Sequence, residues 1–150
     1  GYGSLQGRWL SVSIGDTFLV TKRSEKGPNK FSQEIKNLTP GRAYSLKMIT
    51  ADYKNIVGEK SVKKKDAISI KLDNVEILTI QGKNSQQTYP SRKFTDPYTP
   101  YMNYHWYVFR AKGKTAKLTV SDWVTPDDPG GLGGQEIMHN FIEIEPYFEE

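Results

Sequence analysis

The chain has no cysteine and only two histidines, His105 and His139. Without thiols, disulfide staples, zinc–thiolate sites and cysteine nucleophiles are excluded. No apolar run approaches the ~20 residues of a membrane-spanning helix, and no long stretch repeats apolar residues at helical spacing. No secretory leader is visible, and the chain opens on Gly1 rather than Met, so one module of a larger chain is expected. Neither histidine sits near a Gly-x-Ser-x-Gly elbow, which leaves a Ser–His nucleophile unsupported. His105 lies in an aromatic run and reads as packed, and His139 falls on the row opposite Met138 and reads as surface. Paired carboxylates held across a glycosidic bond are also missing. Asp122, Asp127 and Asp128 form the one dense acidic group and read as solvated turn residues. The net charge of +4 is mild and spread out. Its densest point, Lys63-Lys64-Lys65, precedes a strand and lacks interleaved stacking aromatics, so it reads as a solvated loop rather than a nucleic-acid surface. Attraction to an anionic polysaccharide is the other reading of that run.

What the chain does have is strand periodicity and aromatic surface. Its 150 residues suffice for one domain with a sizeable core. Nine Tyr, six Phe and three Trp stand against a modest apolar content of 36%. Residues 31–51 are the clearest stretch. Phe31, Gln33 and Ile35 share one face, and Tyr44, Leu46 and Met48 share another, which is the period of two of half-buried strands. Between them, Pro40 presets φ for the first central position of a turn and Gly41 supplies the positive φ of type II. The two runs are expected to form a hairpin. Further strands are expected over residues 8–14, 17–21, 67–72, 75–80, 104–112, 116–123 and 135–147, with Met138, Asn140, Ile142 and Ile144 in phase in the last. Residues 52–66 read as a lysine-rich connection in which a strand and a short helical turn stay open.

Residues 82–103 contain Pro90, Pro97 and Pro100 beside Tyr89, Phe94, Tyr98 and Tyr101, and read as one long aromatic loop. Residues 125–134 read as a flexible connection. Its four glycines lack the strand-to-helix context and the Gly-Lys-Ser/Thr ending of a phosphate cradle. Asn37-Leu38-Thr39 matches a glycosylation sequon, but Pro40 and its turn role count against it.

The spacing of Phe31, Gln33, Ile35, Leu38, Pro40, Gly41, Tyr44 and Leu46 resembles jelly-roll modules of the galactose-binding-like type, many of them carbohydrate-binding modules appended to bacterial polysaccharide-degrading enzymes. Trp106, Phe109 and Ala111 and the closing strand are similar to the later strands of that family. The resemblance implies an all-β, antiparallel β-sandwich with jelly-roll topology, filling residues 1–150 as a single domain. It also implies an extracellular, periplasmic or cell-surface setting, and a catalytic domain in the same full-length chain. No cofactor is required by it, although modules of this kind often hold a structural calcium.

A sugar ring presents apolar C–H faces to aromatic side chains and hydroxyls to amides and charged groups. The candidate ligand-binding residues are therefore Tyr89, Arg92, Tyr98, Tyr101 and Asn103 of the aromatic loop, with Trp123 as a second platform. The expected function is non-catalytic recognition of a polysaccharide or glycan, without nucleic acid. A structural module packed against a neighbouring domain, with no ligand of its own, is the alternative. A small lyase or hydrolase on the same sandwich is a third reading, since fold does not fix function.

Overall fold

The computed structural model describes residues 18–80, 83–90 and 100–148. The strand expected over residues 8–14 lies outside them. The described elements are β1 (Leu19–Lys22), β2 (Lys30–Ile35), β3 (Ala43–Asp52), α1 (Tyr53–Val57), β4 (Ser69–Asp73), β5 (Val75–Ile77), β6 (Ser85–Pro90), β7 (Tyr101–Ala111), β8 (Ala116–Ser121) and β9 (Glu136–Pro146). A six-stranded antiparallel sheet runs β1-β9-β3-β7, with β5 and β6 end to end on the far edge of β7. A three-stranded antiparallel sheet runs β2-β8-β4. The two face each other as a sandwich.

Between the layers, Tyr44, Leu46, Met48 and Phe109 of the large sheet meet Ala116, Leu118 and Val120 of the small one. Phe31, Ile35, Ile70 and Leu72 close the sides. Leu46, Phe109 and Leu118 are at most 2% exposed. Burial of each such side chain stabilises the fold by roughly 1.5–3 kcal/mol.

The 31–51 stretch forms both expected strands and the expected turn, but not a hairpin. Arg42 N–H donates to the Thr39 carbonyl (3.1 Å), and Gly41 adopts φ +82°, as a type II turn requires. Yet β2 pairs with β8, whereas β3 pairs with β7 and β9. The link is an arch that carries the chain from one sheet to the other. The apolar rows of β2 and β3 then face each other across the core, with Leu38 buried under the arch and the Tyr44 hydroxyl accepting from Thr39 N–H (2.9 Å). Gln33 is exposed.

The closing strand also departs from simple alternation. Its register with β3 shifts between Lys47↔Glu143 and Ile49↔Asn140, so Phe141 and Ile142 together oppose Met48 in a bulge. Phe141 takes φ +53° there, and the Asn140 side chain accepts from Phe141 N–H (2.7 Å). The extra residue inverts the phase. Ile144 packs on the inter-sheet core, whereas Met138 turns to the opposite face of the sheet. On that outer face Met138 joins Ile49, Ala51, Ile56 and Met102, flanked by Phe18, Tyr53, Tyr104 and Phe141. On the outer face of β7, Met102 and Val108 are buried while Tyr104 and Trp106 are half-buried, and α1 helps cover this side of the sheet.

Within residues 82–103, the polar run Ser85–Pro90 is a strand rather than loop, paired in register from Ser85↔Trp106 to Pro90↔Tyr101. Pro90 ends this edge strand, where its missing N–H costs no ladder bond. Among the described residues no helix is long and apolar enough to cross a membrane.

Candidate functional site

The inter-sheet layer changes character along its length. The inward row of β3 runs Tyr44, Leu46, Met48 and then Thr50, and that of β7 runs Phe109, Tyr107, His105 and then Asn103, and the two rows lie opposite each other. One end of the sandwich is therefore apolar and the other is a buried hydrogen-bonded layer. Asp66 is its hub. Its Oδ2 accepts from Thr50 Oγ1 (2.7 Å) and from Asn103 Nδ2 (2.8 Å). Burial pushes the Asp66 carboxyl above the usual carboxylate range, with these two hydrogen bonds opposing the shift. With the Thr50 hydroxyl proton directed at Asp66, His105 Nε2–H donates to Thr50 Oγ1 (2.9 Å). Desolvation drops the His105 imidazole to about 3, so it is neutral near pH 7.

Arg23 closes the layer from the β1 side and is 1% exposed. Its Nε donates to the Asp122 carbonyl (2.7 Å), and its other nitrogens reach the Ala67 carbonyl, the Leu132 carbonyl and Gln135 Oε1. A buried guanidinium with this many acceptors ties three distant loops to one point.

Above this layer the surface opens into a cleft of about 380 Å³. One wall is the segment leading from α1 to β4, the second is the start of β7, and the third is the loop into β9. Each wall is fixed by a named bond. Ser61 Oγ accepts from Tyr101 N–H (2.8 Å), and the Lys64 carbonyl accepts from Asn103 Nδ2 (3.1 Å). Asp52 Oδ1 caps α1 through Asn55 N–H (2.9 Å), and its Oδ2 accepts from Gln135 Nε2 (2.9 Å). Lys54 pairs with Glu136 at 3.4 Å. Tyr101 is the aromatic lining residue, with Val62 and Leu132 as further apolar surface among polar groups.

The candidate residues separate on this frame. Tyr101 lines the cleft, half-buried. Asn103 forms part of its floor, but it is 3% exposed and its amide is engaged inward, with Oδ1 accepting from Thr88 Oγ1 (2.7 Å). Tyr89 is 44% exposed and pairs with Met102, on the outer face of the sheet and away from the cleft. Its hydroxyl donates to Gln87 Oε1. Trp123 is 8% exposed, and its indole N–H donates to the Ser24 carbonyl (2.9 Å), so it is a core anchor rather than an open platform. Arg92 and Tyr98 lie outside the described residues.

Three further expectations are corrected. His139 is not a surface residue: it is 3% exposed, lies edge-on to the Phe31 ring at 5.2 Å, and bonds Thr21 Oγ1 through Nε2 (2.9 Å). Burial holds its imidazole at about 4. Asp122 is not a solvated turn residue: it is 1% exposed, and its two oxygens accept from the backbone and side-chain N–H groups of Asn29. The glycine loop is not a loose connection at every position. A Cβ on Gly131 would stand 2.8 Å from Arg23 Cζ, so only glycine lets this backbone lie against the guanidinium. Asp127 and Asp128 are exposed, as expected. Among the described residues no three His, Asp or Glu side chains gather as a metal site.

Asp52, Lys54, Asn55, Asp66, Gln135 and Glu136 also line the cleft and were not among the expected residues, whereas Lys64 belongs to the basic run already noted. The available signal was a polar residue continuing an apolar row, at Thr50 and at Asn103.

No family model, no curated protein and no solved structure matches this chain.

Proposed function

We propose that this chain is a non-catalytic carbohydrate-binding module of the galactose-binding-like jelly-roll type, and that the cleft beside Tyr101 is its sugar seat. The observation that carries the reading is the cleft itself. It sets one half-buried aromatic ring among amides, ammonium groups and carboxylates at the open end of an antiparallel sandwich. Its volume falls at the small end of ligand clefts, roughly 300–1,000 Å³, which suits a short stretch of a glycan chain. A ring face and a circle of hydrogen-bonding groups are what a pyranose needs. The rigid polar layer beneath supplies preorganisation, because Ser61, Lys64 and Asp66 hold the wall in place before any ligand arrives.

The reading is non-catalytic because the cleft carboxylates already have partners. Asp52 caps a helix and holds Gln135, Asp66 holds Thr50 and Asn103, and Glu136 pairs with Lys54. Both histidines are buried, neutral and bonded to threonines.

Affinity electrophoresis against a polysaccharide panel tests the proposal. The wild-type domain is expected to be retarded by at least one polymer, and Tyr101→Ala should weaken that binding by about fivefold or more, since a stacked ring contributes roughly 0.5–1.5 kcal/mol beyond the area it buries. Absence of retardation across the panel, or retardation that Tyr101→Ala leaves unchanged, removes the proposal. Release of new reducing or unsaturated ends would show an enzyme instead.

A further inference from the structure

The wall between α1 and β4 is strongly basic. Lys60, Lys63, Lys64 and Lys65 are all exposed, and among the described residues none of them forms an ion pair with a carboxylate. Their backbone is nonetheless pinned along the first residues of β7, through Ser61 to Tyr101 and through Lys64 and Asp66 to Asn103. The lysines therefore sit on a held segment of chain rather than a charged tether, with Lys64 lining the cleft that Tyr101 also lines and Lys60, Lys63 and Lys65 flanking it in sequence. Of the cleft carboxylates, Glu136 is paired with Lys54 and Asp66 is buried, which leaves Asp52 as the negative charge set against the four exposed lysines.

Building on the carbohydrate reading, we infer that the cleft selects an acidic glycan, a chain bearing carboxylate or sulfate groups, with Tyr101 under one sugar ring and Lys60, Lys63, Lys64 and Lys65 meeting successive anions. Exposed ammonium groups attract such a chain over roughly a Debye length, about 8 Å at physiological salt. Each contributes a factor of a few, and a row of them acts together on a polyanion.

The test is a binding titration at 50 and 300 mM NaCl with polygalacturonate, dextran sulfate, three neutral polymers (dextran, arabinoxylan, galactomannan) and double-stranded DNA. The proteins are wild type, Tyr101→Ala and the fourfold variant K60Q/K63Q/K64Q/K65Q, with urea unfolding to show that the exposed substitutions leave the fold intact. The inference expects a carboxylated or sulfated glycan to bind, to weaken about tenfold or more between the two salts, and to weaken by about fivefold or more in Tyr101→Ala and by at least tenfold in the fourfold variant. Equal or tighter binding of a neutral polymer, insensitive to the fourfold variant, overturns the inference and leaves the carbohydrate reading standing. Binding of DNA as tight as that of the glycans, unaffected by Tyr101→Ala, overturns it in favour of a nonspecific polyanion surface. No binding to any polymer overturns both.

Discussion

Acidification should weaken this fold through two imidazoles, and the size of the effect follows from their burial. His105 and His139 ionise in the folded chain at about 3 and about 4, against an ordinary value of 6.5. The sign is set by proton uptake: between these values the unfolded chain binds protons that the folded chain refuses, so stability falls as pH falls and is level above pH ~7. From pH 7.5 to 4.5 each histidine removes on the order of 2–3 kcal/mol, so the pair removes about 5 kcal/mol. A domain of this size has on the order of 5–15 kcal/mol in total. Asp66 acts in the opposite sense. Its raised carboxyl holds a proton that the unfolded chain has already lost, which offsets part of the slope. Urea unfolding of wild type and His139→Asn at pH 4.5 to 7.5 separates the two, because Asp66 is common to both. The difference in slope should be somewhat under one proton, about 1 kcal/mol per pH unit between pH 5 and 6. Imidazole Cε1–H resonances of the folded protein should stay flat down to pH 5, a readout that does not depend on the variant folding. A titration midpoint near 6.5 for either ring in the folded state would refute the argument from burial.

Other substitutions probe the same frame. Gly131→Ala drives a methyl into the Arg23 guanidinium and should cost about 1–3 kcal/mol by urea unfolding, whereas a loop glycine free to move would tolerate it. Trp123→Phe leaves the Ser24 carbonyl without its donor and should cost roughly 1–3 kcal/mol while leaving glycan retardation unchanged. Loss of retardation without loss of stability would restore Trp123 as a sugar platform.

How much of this was legible beforehand depended on whether the information was local. Alternation located β3, β8 and most of β9, and Pro40-Gly41 specified its turn, because strand period and turn dihedrals are written into neighbouring residues. Pairing is not local. Nothing in residues 31–51 distinguishes a hairpin from an arch, since both expose the same apolar rows. The bulge at Phe141 inverts the phase of β9, which sent His139 inward against the expectation from Met138. β6 escaped notice because Ser85, Gln86, Gln87 and Thr88 offer no apolar alternation; its place comes from the β7 edge it bonds. At the site, Tyr101 was legible as an aromatic beside polar groups. Asn103 and Trp123 read as ligand residues because their partners, Asp66 and Ser24, lie far away in sequence. The basic run at Lys63–Lys65 was visible, but its position beside Tyr101 follows only from the Ser61 and Asn103 bonds.

The most direct test of the cleft as the binding seat is amide chemical-shift mapping with an oligosaccharide of whichever polymer retards the protein. The account predicts perturbations concentrated at Lys54, Asn55, residues 61–66, Tyr101 and residues 132–136. Perturbations confined to the outer sheet face, around Tyr89, Tyr104 and Trp106, with those cleft amides unmoved, would contradict it.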